Sequence, residues 1–449
     1  MNRRLKRAGV FAGVGALAVV APALGDAAAV PFLAIAGAVL FGIRDGPWFE
    51  ILALPGDREA ERLYGLGAFA LALAGLAAFA TLPRVPLPFG AFVAAALAVG
   101  GGRLGYALFD RRFDGEFKLV GGYLVVGALA ALVGQAVVAA VAGEFPVPDP
   151  LVAADALLVS LPVFTFLAAV AALMAALVRS FVYDRDEHIT VVVVAFVVWG
   201  FLALEPTVSA LGIVAGLAVT VALGYVSYAL GAASVPGMLT GVLLALLTVV
   251  LGGVGWFLTL MMFYSVGALA SKYRFDEKAE RGVAQENQGA RGTGNVLANS
   301  AVALVALIGY AATDHVGVTP ALFGFAFAGA IGTAMADTLS SEIGGLFDGP
   351  RLITTLERVE PGTDGAVTWQ GELAGGVGAV LVAAVAAVGI PLGDPVGGGA
   401  VVFVAGVVGM TVDSLLGVLI EGERVGNQSV NFLATLAGAF VAVGGGLLL

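Results

Sequence analysis

The feature that most limits the fold is the recurrence of long apolar stretches from one end of the chain to the other. A helix needs roughly 20 apolar residues to cross the hydrocarbon core of a bilayer. Of the 449 residues, 60% are hydrophobic and 12% are charged, whereas soluble domains are about 25% charged. A soluble protein could not cover so much apolar side chain with a polar surface. The sequence therefore predicts an all-α polytopic integral membrane protein and excludes a soluble enzyme or a disordered chain.

Fifteen stretches are apolar enough to span a membrane, but the breaks between residues 205 and 271 are weak. We therefore expect about 13–15 transmembrane helices, embedded in the lipid bilayer. The stretches lie near residues 8–24, 27–43, 63–82, 88–108, 119–142, 151–179, 189–204, 207–230, 236–251, 254–270, 293–312, 319–339, 371–391, 397–419 and 430–449.

The basic residues indicate the orientation of these helices. With the N-terminus placed in the cytoplasm and the loops alternated, all of the 22 basic residues except Arg84 fall on the cytoplasmic side. Cytoplasmic loops of membrane proteins carry an excess of Lys and Arg. We therefore expect a multi-pass protein of the cell membrane with a cytoplasmic N-terminus.

Two compositional features exclude further classes. The chain has no cysteine, so it can have neither a disulfide framework nor a thiolate nucleophile. The net charge is −10 and no dense basic stripe is present, which argues against nucleic acid as a partner.

The two halves of the chain differ in their loops. Residues 1–235 form a transmembrane region with short loops and no recognisable motif, whereas residues 236–449 carry three long polar loops. Polar residues at the membrane edge are costly unless they serve a function. We therefore expect the functional site in residues 236–449.

The first polar loop, residues 271–300, has features of a phosphate cradle. Lys272 and Arg291 can neutralise phosphate oxygens, and Gly292 and Gly294 permit a tight turn before a helix N-terminus. A flexible basic loop with a glycine cap is an equally good interpretation. Asn295 and Asn299 follow four residues apart, on one face of the next helix. They either bind a partner helix or line a polar site.

The second and third polar regions supply carboxylates and hydroxyl groups. Asp337, Ser341 and Glu342 lie near the end of a predicted helix, and carboxylates with hydroxyls suit Mg²⁺ that carries phosphates. The alternative is a helix-end charge that reaches water. Asp413 and Ser414 lie within another apolar stretch, where an aspartate is a functional candidate.

Between these regions, the alternation of residues 351–359 and the turn signal Pro361–Gly365 predict a small cytoplasmic β-hairpin, with residues 366–370 as its second strand. The hairpin would form a lid or a nucleotide platform over the cytoplasmic mouth. A plain structured loop is the other interpretation.

In combination, these motifs resemble the transmembrane protein 19 family (domain of unknown function 92), which includes plant phytyl phosphate kinase. The resemblance covers roughly residues 236–449. Its departures are Asn295, where glutamine is expected, and Leu339-Ser340, where a tryptophan and a small residue are common. The matching residues are Lys272, Gly289, Arg291, Val296 to Asn299, Asp337-Thr338, Ser341 to Gly344, Ile353 to Thr355, Val359, Pro361 to Thr363, Gly365, Asp413 to Gly417 and Asn431.

The resemblance implies a membrane-embedded isoprenoid phosphate kinase, which transfers a phosphoryl group from a nucleoside triphosphate to a phytyl- or geranylgeranyl-type monophosphate. Mg²⁺ would accompany the nucleotide as cofactor. The expected metal-holding or catalytic residues are Asp337, Glu342 and Asp413. The expected phosphate- or substrate-binding residues are Lys272, Arg291, Gly292, Gly294, Asn295, Asn299, Ser341, Thr363, Ser414 and Asn431.

Two other classes of function are consistent with the sequence. One is a transporter or flippase of a lipid or small solute, for which many short-looped spans and polar residues within them would suffice. The other is a different lipid head-group transferase. Convergence of the polar loops on one cytoplasmic pocket beside a lateral opening to lipid would favour an enzyme, whereas a through-path lined by Asp337 and Asp413 would favour transport.

Overall fold

The computed structural model describes residues 3–143, 145–146, 153–231, 233–284, 292–422 and 425–449. The chain divides into two compact units, Met1–Ile213 and Val214–Leu449. Each is almost entirely helical, as the apolar stretches predict. Thirteen helices of the described residues are long and apolar enough to cross a membrane, or fourteen if one bent pair counts as a span. The prediction of an all-α polytopic membrane protein with about 13–15 spans is confirmed.

The first unit contains helices separated by short loops. Short 3₁₀ segments join them at Leu17–Val20, Gly25–Ala27 and Asp184–Asp186, and a π-helical segment lies at Ala38–Gly42. The helices are α1 (Arg3–Ala16), α2 (Ala21–Leu24), α3 (Val30–Gly37), α4 (Gly46–Leu52), α5 (Tyr64–Ala80), α6 (Phe89–Phe109), α7 (Glu116–Ala142), α8 (Ala153–Arg179) and α9 (Glu187–Ala203), with α10 (Ala210–Ala229) beginning in this unit and continuing in the second.

Two of the predicted spans differ from straight transmembrane helices. The stretch at 27–43 forms Val30–Gly42, and the chain then bends by 113° into Gly46–Leu52. The break follows from Gly46, whose φ is +79°, and from the proline that follows it at the helix start. The stretch at 63–82 forms only Tyr64–Ala80, 17 residues, which is about 26 Å of helix and shorter than a typical hydrocarbon core.

A buried ion pair lies inside the first unit. Arg103 donates to Glu187, and both side chains are almost fully buried. The guanidinium of Arg103 also lies over the Phe11 ring, 4.0 Å from its centroid. Since each charge has a partner, this pair joins α6 to α9 within the apolar bundle.

The second unit contains the longest polar connections. Its π-helical segment is Thr248–Gly252. Its helices are α11 (Val235–Leu247), α12 (Val254–Lys272), α13 (Phe275–Glu280), α14 (Thr293–Ala311), α15 (Thr313–Val316), α16 (Pro320–Gly344), α17 (Trp369–Gly389), α18 (Pro395–Ile420) and α19 (Asn427–Gly446), and its strands are β1 (Arg351–Leu352) and β2 (Ala366–Val367).

Helix α16 is the centre of this unit. It packs against α12, α14, α17, α18 and α19, and most of its residues from Gly324 to Gly344 are buried. Many of these residues are Gly or Ala, so neighbouring backbones can approach closely. The buried position of α16 puts the polar residues at its C-terminal end among the ends of four other helices.

The predicted β-hairpin is present but shorter than expected. β1 and β2 pair antiparallel, with Arg351 opposite Val367 and Leu352 opposite Ala366. The chain turns back within the predicted first strand, where Leu356 has a left-handed φ of +58°. Residues 369–370, predicted as strand, instead begin α17, because the Thr368 side chain accepts a hydrogen bond from Gly371 N and caps the helix.

Candidate functional site

A cavity of about 600 Å³ lies at one end of the second unit. It is bounded by the N-terminal ends of α14, α17 and α19 and the C-terminal ends of α16 and α18. The segment 361–368, which contains β2, forms one wall. The polar side chains that line the cavity are Asn295, Asn299, Asp337, Thr338, Ser340, Ser341, Glu342, Thr363, Asp364, Thr368, Asp413, Ser414, Glu421, Asn427 and Asn431.

Two aspartates from different helices meet in this cavity. Asp337 of α16 and Asp413 of α18 each lie seven residues before their helix ends, at Gly344 and Ile420, which is a depth of about 10 Å. Their carboxyl groups are within hydrogen-bonding contact of each other. Two ionised carboxylates at this separation repel each other, so the pair must share a proton or a cation.

Four asparagine side chains line the same cavity as the aspartate pair: Asn295, Asn299, Asn427 and Asn431. Asn299 is buried and its Nδ2 donates to Asn295 O at 3.0 Å and to Asn295 Oδ1 at 3.3 Å. With its amide oriented to suit its neighbours, Asn431 donates to Asp413 Oδ1 at 3.3 Å and to Asn427 O at 3.2 Å. The amides supply neutral donors and acceptors to the cavity, and that of Asn431 contacts a carboxylate.

The end of the hairpin turn is fixed to α18 by a close backbone contact. Gly365 has a φ of +70°, and a Cβ at this position would lie 2.4 Å from Ser414 O. Only glycine fits both the conformation and the contact. The contact brings Thr363 and Asp364 to the cavity, where the Thr363 hydroxyl donates to Glu360 O at 2.7 Å.

The bundle is closed directly beneath the aspartates. Thr333 lies one turn before Asp337 on α16, is fully buried and donates to Ala405 O at 3.3 Å. A Cβ added at Gly409 of α18 or at Gly438 of α19 would lie only 2.0 or 1.9 Å from Thr333 Oγ1. Helices α16, α18 and α19 therefore touch at Thr333.

The cavity is strongly acidic. Among the described residues, its wall contains five carboxyl groups and no Lys or Arg: Asp337, Glu342, Asp364, Asp413 and Glu421. Burial, followed by the negative charges of Asp364 and Asp413, raises the pKa of Glu421, which lies just beyond the end of α18. The described part of the wall therefore favours cations and repels free polyanions.

Glu342 has a partner that the sequence analysis did not single out. Lys278 of α13 is buried and donates from Nζ to Glu342 Oε2, and to Ala270 O and Ser271 O at 2.9 Å each. A carboxylate near a helix end needs a counter-charge, so Glu342 itself indicated that a basic partner such as Lys278 should exist. However, loop 271–300 contains five basic residues and the sequence did not distinguish between them.

The structure brings together nine of the predicted site residues and leaves the others apart. Lys272 is exposed and donates to Leu230 O at 3.0 Å, and Gly292 and Gly294 do not line the cavity. Arg291 lies outside the described residues. The residues that line the cavity are Asp337, Glu342, Asp413, Asn295, Asn299, Ser341, Thr363, Ser414 and Asn431.

The donor set suits a hard divalent cation held by two carboxylates. No group of three His, Asp or Glu side chains in the described residues has metal-binding geometry, and Glu342 is directed to Lys278. Mg²⁺ is usually bound by one or two protein carboxylates, with water and substrate phosphates completing its coordination. Asp337 and Asp413 fit this arrangement, because their contact requires a shared positive charge.

About half of the chain is similar to known proteins. Residues 218–439 match the family described as integral membrane protein DUF92. An uncharacterized membrane protein of Methanocaldococcus jannaschii is 34% identical over 198 residues, which cover 42% of this chain and 76% of that protein. An uncharacterized membrane protein of Synechocystis sp. is 29% identical over 205 residues, covering 44% and 76%. The chloroplastic protein VTE6 of Arabidopsis thaliana is 28% identical over 221 residues, covering 47% and 64%. No solved structure matches the chain.

Proposed function

The chain belongs to the DUF92 integral membrane family, and from this membership and the acidic cavity we propose that it is a membrane-embedded isoprenoid phosphate kinase. The enzyme transfers the γ-phosphoryl group of a nucleoside triphosphate to a prenyl monophosphate and releases a prenyl diphosphate. The similarity to the plant protein VTE6 supports this choice among lipid head-group reactions.

The observation that carries the proposal is the Asp337–Asp413 pair, at the bottom of a cavity whose described wall contains carboxylates and no Lys or Arg. Phosphates would be repelled from such a wall unless a divalent cation accompanied them. Asp337 and Asp413 would hold Mg²⁺, which neutralises charge on the nucleotide phosphates.

The remaining side chains bind and orient the two substrates. In the proposed complex, the amides of Asn295, Asn299 and Asn431 turn from their present protein contacts to phosphate oxygens, and the Ser414 hydroxyl also donates to phosphate. The Thr363 hydroxyl already donates to Glu360 O, so Thr363 forms part of the wall. Glu342 acts indirectly, because its contact with Lys278 fixes the end of α16. Phosphoryl transfer depends mainly on such positioning and on charge neutralisation.

The reaction needs no general base from the protein. An oxygen of the lipid monophosphate attacks the γ-phosphorus, and the bond to the β–γ bridging oxygen breaks. The nucleoside diphosphate leaves with the bonding electron pair. A phosphate monoester is largely a dianion at neutral pH, so the attacking oxygen carries no proton that must be removed. The lack of a histidine among the described lining residues is compatible with this step.

The shape of the cavity does not support a transport function. Its aspartates lie above the contact of Thr333 with Gly409 and Gly438, where three helices leave no space between them. A path across the bilayer through the aspartate pair would require these helices to separate.

A direct assay tests the proposed function. The purified protein in lipid would be incubated with Mg²⁺, each nucleoside triphosphate in turn and geranylgeranyl or phytyl monophosphate, and the diphosphate would be measured by mass. We expect a diphosphate with at least one donor. We also expect its loss in Asp337→Asn and Asp413→Asn but not in Asp314→Asn, an exposed aspartate outside the cavity.

Two outcomes would contradict the proposal. Well-folded protein that forms no diphosphate with any donor would exclude this reaction. Unchanged product formation in Asp337→Asn or Asp413→Asn would show that the aspartate pair is not the centre of the site.

A further inference from the structure

An apolar groove of about 520 Å³ lies beside the polar cavity, between α14 and α19. Its sides are almost entirely aliphatic or aromatic, except for Gln428 and Ser429 at one end. Leu297, Phe432 and Leu433 are each 37–39% exposed along it. The lining residues are Gly294, Leu297, Ala298, Ala301, Ile420, Val425, Gln428, Ser429, Phe432 and Leu433.

The groove and the cavity are formed by the same two helices. On α14, Gly294, Ala298 and Ala301 face the groove, whereas Asn295 and Asn299 face the cavity. At about 100° per residue, these two stripes are roughly 120° apart around the helix. On α19, Phe432 and Leu433 line the groove while Asn431 lines the cavity. An apolar surface and a polar surface therefore adjoin across one helix pair.

The two spaces adjoin along the first turns of both helices. On α14, Gly294 lines the groove and its neighbour Asn295 lines the cavity. On α19, Gln428 lines the groove and its neighbour Asn427 lines the cavity. A Cβ at Gly294 would lie 2.4 Å from Gln428 Oε1, so the Gln428 amide lies directly over this glycine. At this point a glycine backbone and one amide side chain lie between the two spaces.

We propose that the groove between α14 and α19 holds the apolar chain of the lipid monophosphate while its phosphate lies among the amides of the cavity. This inference rests on the proposed function and specifies which part of the protein recognises the lipid. The occupant is an amphiphile, because an apolar groove and a polar cavity adjoin across one helix pair. Small residues on α14 keep the groove open over about two helical turns, or about 10 Å.

A substitution that fills the groove tests this inference. Ala301→Phe places an aromatic ring in the groove, and Ala384→Phe makes the same change at an exposed position of α17, outside both spaces. We expect Ala301→Phe to raise the KM for geranylgeranyl monophosphate by about tenfold. This is at the low end of the effect that a changed apolar pocket has on discrimination between substrates. The kcat and the KM for the nucleotide should stay near their values in the Ala384→Phe control.

A binding measurement that does not depend on turnover separates this inference from the proposed function. The probe is a 20-carbon alkyl monophosphate with a photoreactive diazirine on its chain, added to the full-length protein in phosphatidylcholine vesicles. We expect cross-links to peptides of α14 and α19, competed by geranylgeranyl monophosphate but not by uncharged geranylgeraniol. Ala301→Phe should reduce them and Ala384→Phe should not.

The outcomes can be distinguished. Cross-links at α14 and α19 with no diphosphate formed would support the lipid site and exclude the kinase reaction. If Ala301→Phe forms diphosphate with an unchanged KM, the result would support the kinase and overturn the proposal that the groove holds the lipid chain. Labelling that geranylgeranyl monophosphate does not compete would show that bulk bilayer lipid fills the groove.

Discussion

At the scale of single residues, the buried pair of Lys278 and Glu342 stabilises the end of α16. The three donors of the Lys278 ammonium group are all used, by Glu342 and by two carbonyl groups at the end of α12. Both side chains are at most 3% exposed. Such a pair adds little net stability relative to apolar residues, but the loss of one partner leaves an uncompensated buried charge.

Lys278→Met should therefore destabilise the protein by about 3–5 kcal/mol, measured by reversible unfolding in mixed micelles. The matched control is Lys272→Met, which removes an exposed lysine from the end of the neighbouring helix. Adding Glu342→Gln to Lys278→Met should recover part of the loss, because the buried negative charge is then removed. Equal effects of the two lysine variants would contradict this role.

Glu421 makes the stability of the folded protein depend on pH. Its raised pKa means that the folded protein retains a proton that the unfolded chain has already released. The free energy of unfolding should therefore fall as the pH rises from the ordinary glutamate value of 4.5 through the raised pKa. Thermal unfolding without divalent cations should show this slope, and Glu421→Gln should reduce it. Glu280→Gln, at an exposed position outside the cavity, should leave the slope unchanged.

At the scale of helices, glycine contacts determine how closely α16, α18 and α19 approach. Thr333 is enclosed between Gly409 and Gly438, so the floor of the cavity depends on two positions without a side chain. Asp337 lies four residues after Thr333 on α16, and Asp413 lies four residues after Gly409 on α18. The contact between Thr333 and Gly409 therefore also fixes the separation of the two aspartates. Packing in the apolar part of the bundle therefore positions the polar pair.

Gly409→Ala should force α16 and α18 apart and destabilise the protein by about 1–3 kcal/mol through overpacking. Gly376→Ala is the control, because a Cβ at this position of α17 meets no atom within 4 Å. It should change stability by less than about 1 kcal/mol, in the stabilising direction. Unfolding temperatures in detergent would compare the two variants. A Gly409→Ala protein as stable as the control would mean that the helices are less tightly packed there.

At the scale of the whole molecule, the side of the membrane on which the cavity opens determines access to nucleotide. The distribution of basic residues predicts that the loop containing Glu360 is cytoplasmic and the loop containing Asp314 is external. The proposed kinase requires this orientation, because nucleoside triphosphates and Mg²⁺ are cytoplasmic.

The chain has no cysteine, so single-cysteine variants report orientation without background. Glu360→Cys in intact cells should resist an impermeant thiol reagent, whereas Asp314→Cys should react with it. Both positions are exposed, so a difference would reflect the side of the membrane. Reaction of Glu360→Cys in intact cells would place the cavity on the external side and contradict both the orientation and the kinase.

The sequence by itself determined the membrane class, the approximate number of spans and the region of the chain that carries the polar site. These properties follow from local composition, since roughly 20 apolar residues span a bilayer whatever the rest of the chain does. Even so, Gly46 and the proline after it bend one predicted span, and Leu356 shortens one predicted strand. Such deviations depend on backbone angles at a few positions.

Only the tertiary structure decided which polar residues share a cavity. Asn299 and Asp413 are more than a hundred positions apart and meet because α14, α16, α18 and α19 pack through small residues. The same packing pairs Lys278 with Glu342, leaves Lys272 outside the cavity and closes the bundle at Thr333. Hydropathy and periodicity report how each helix faces lipid. They carry no information on which helices touch, and that is what forms the site.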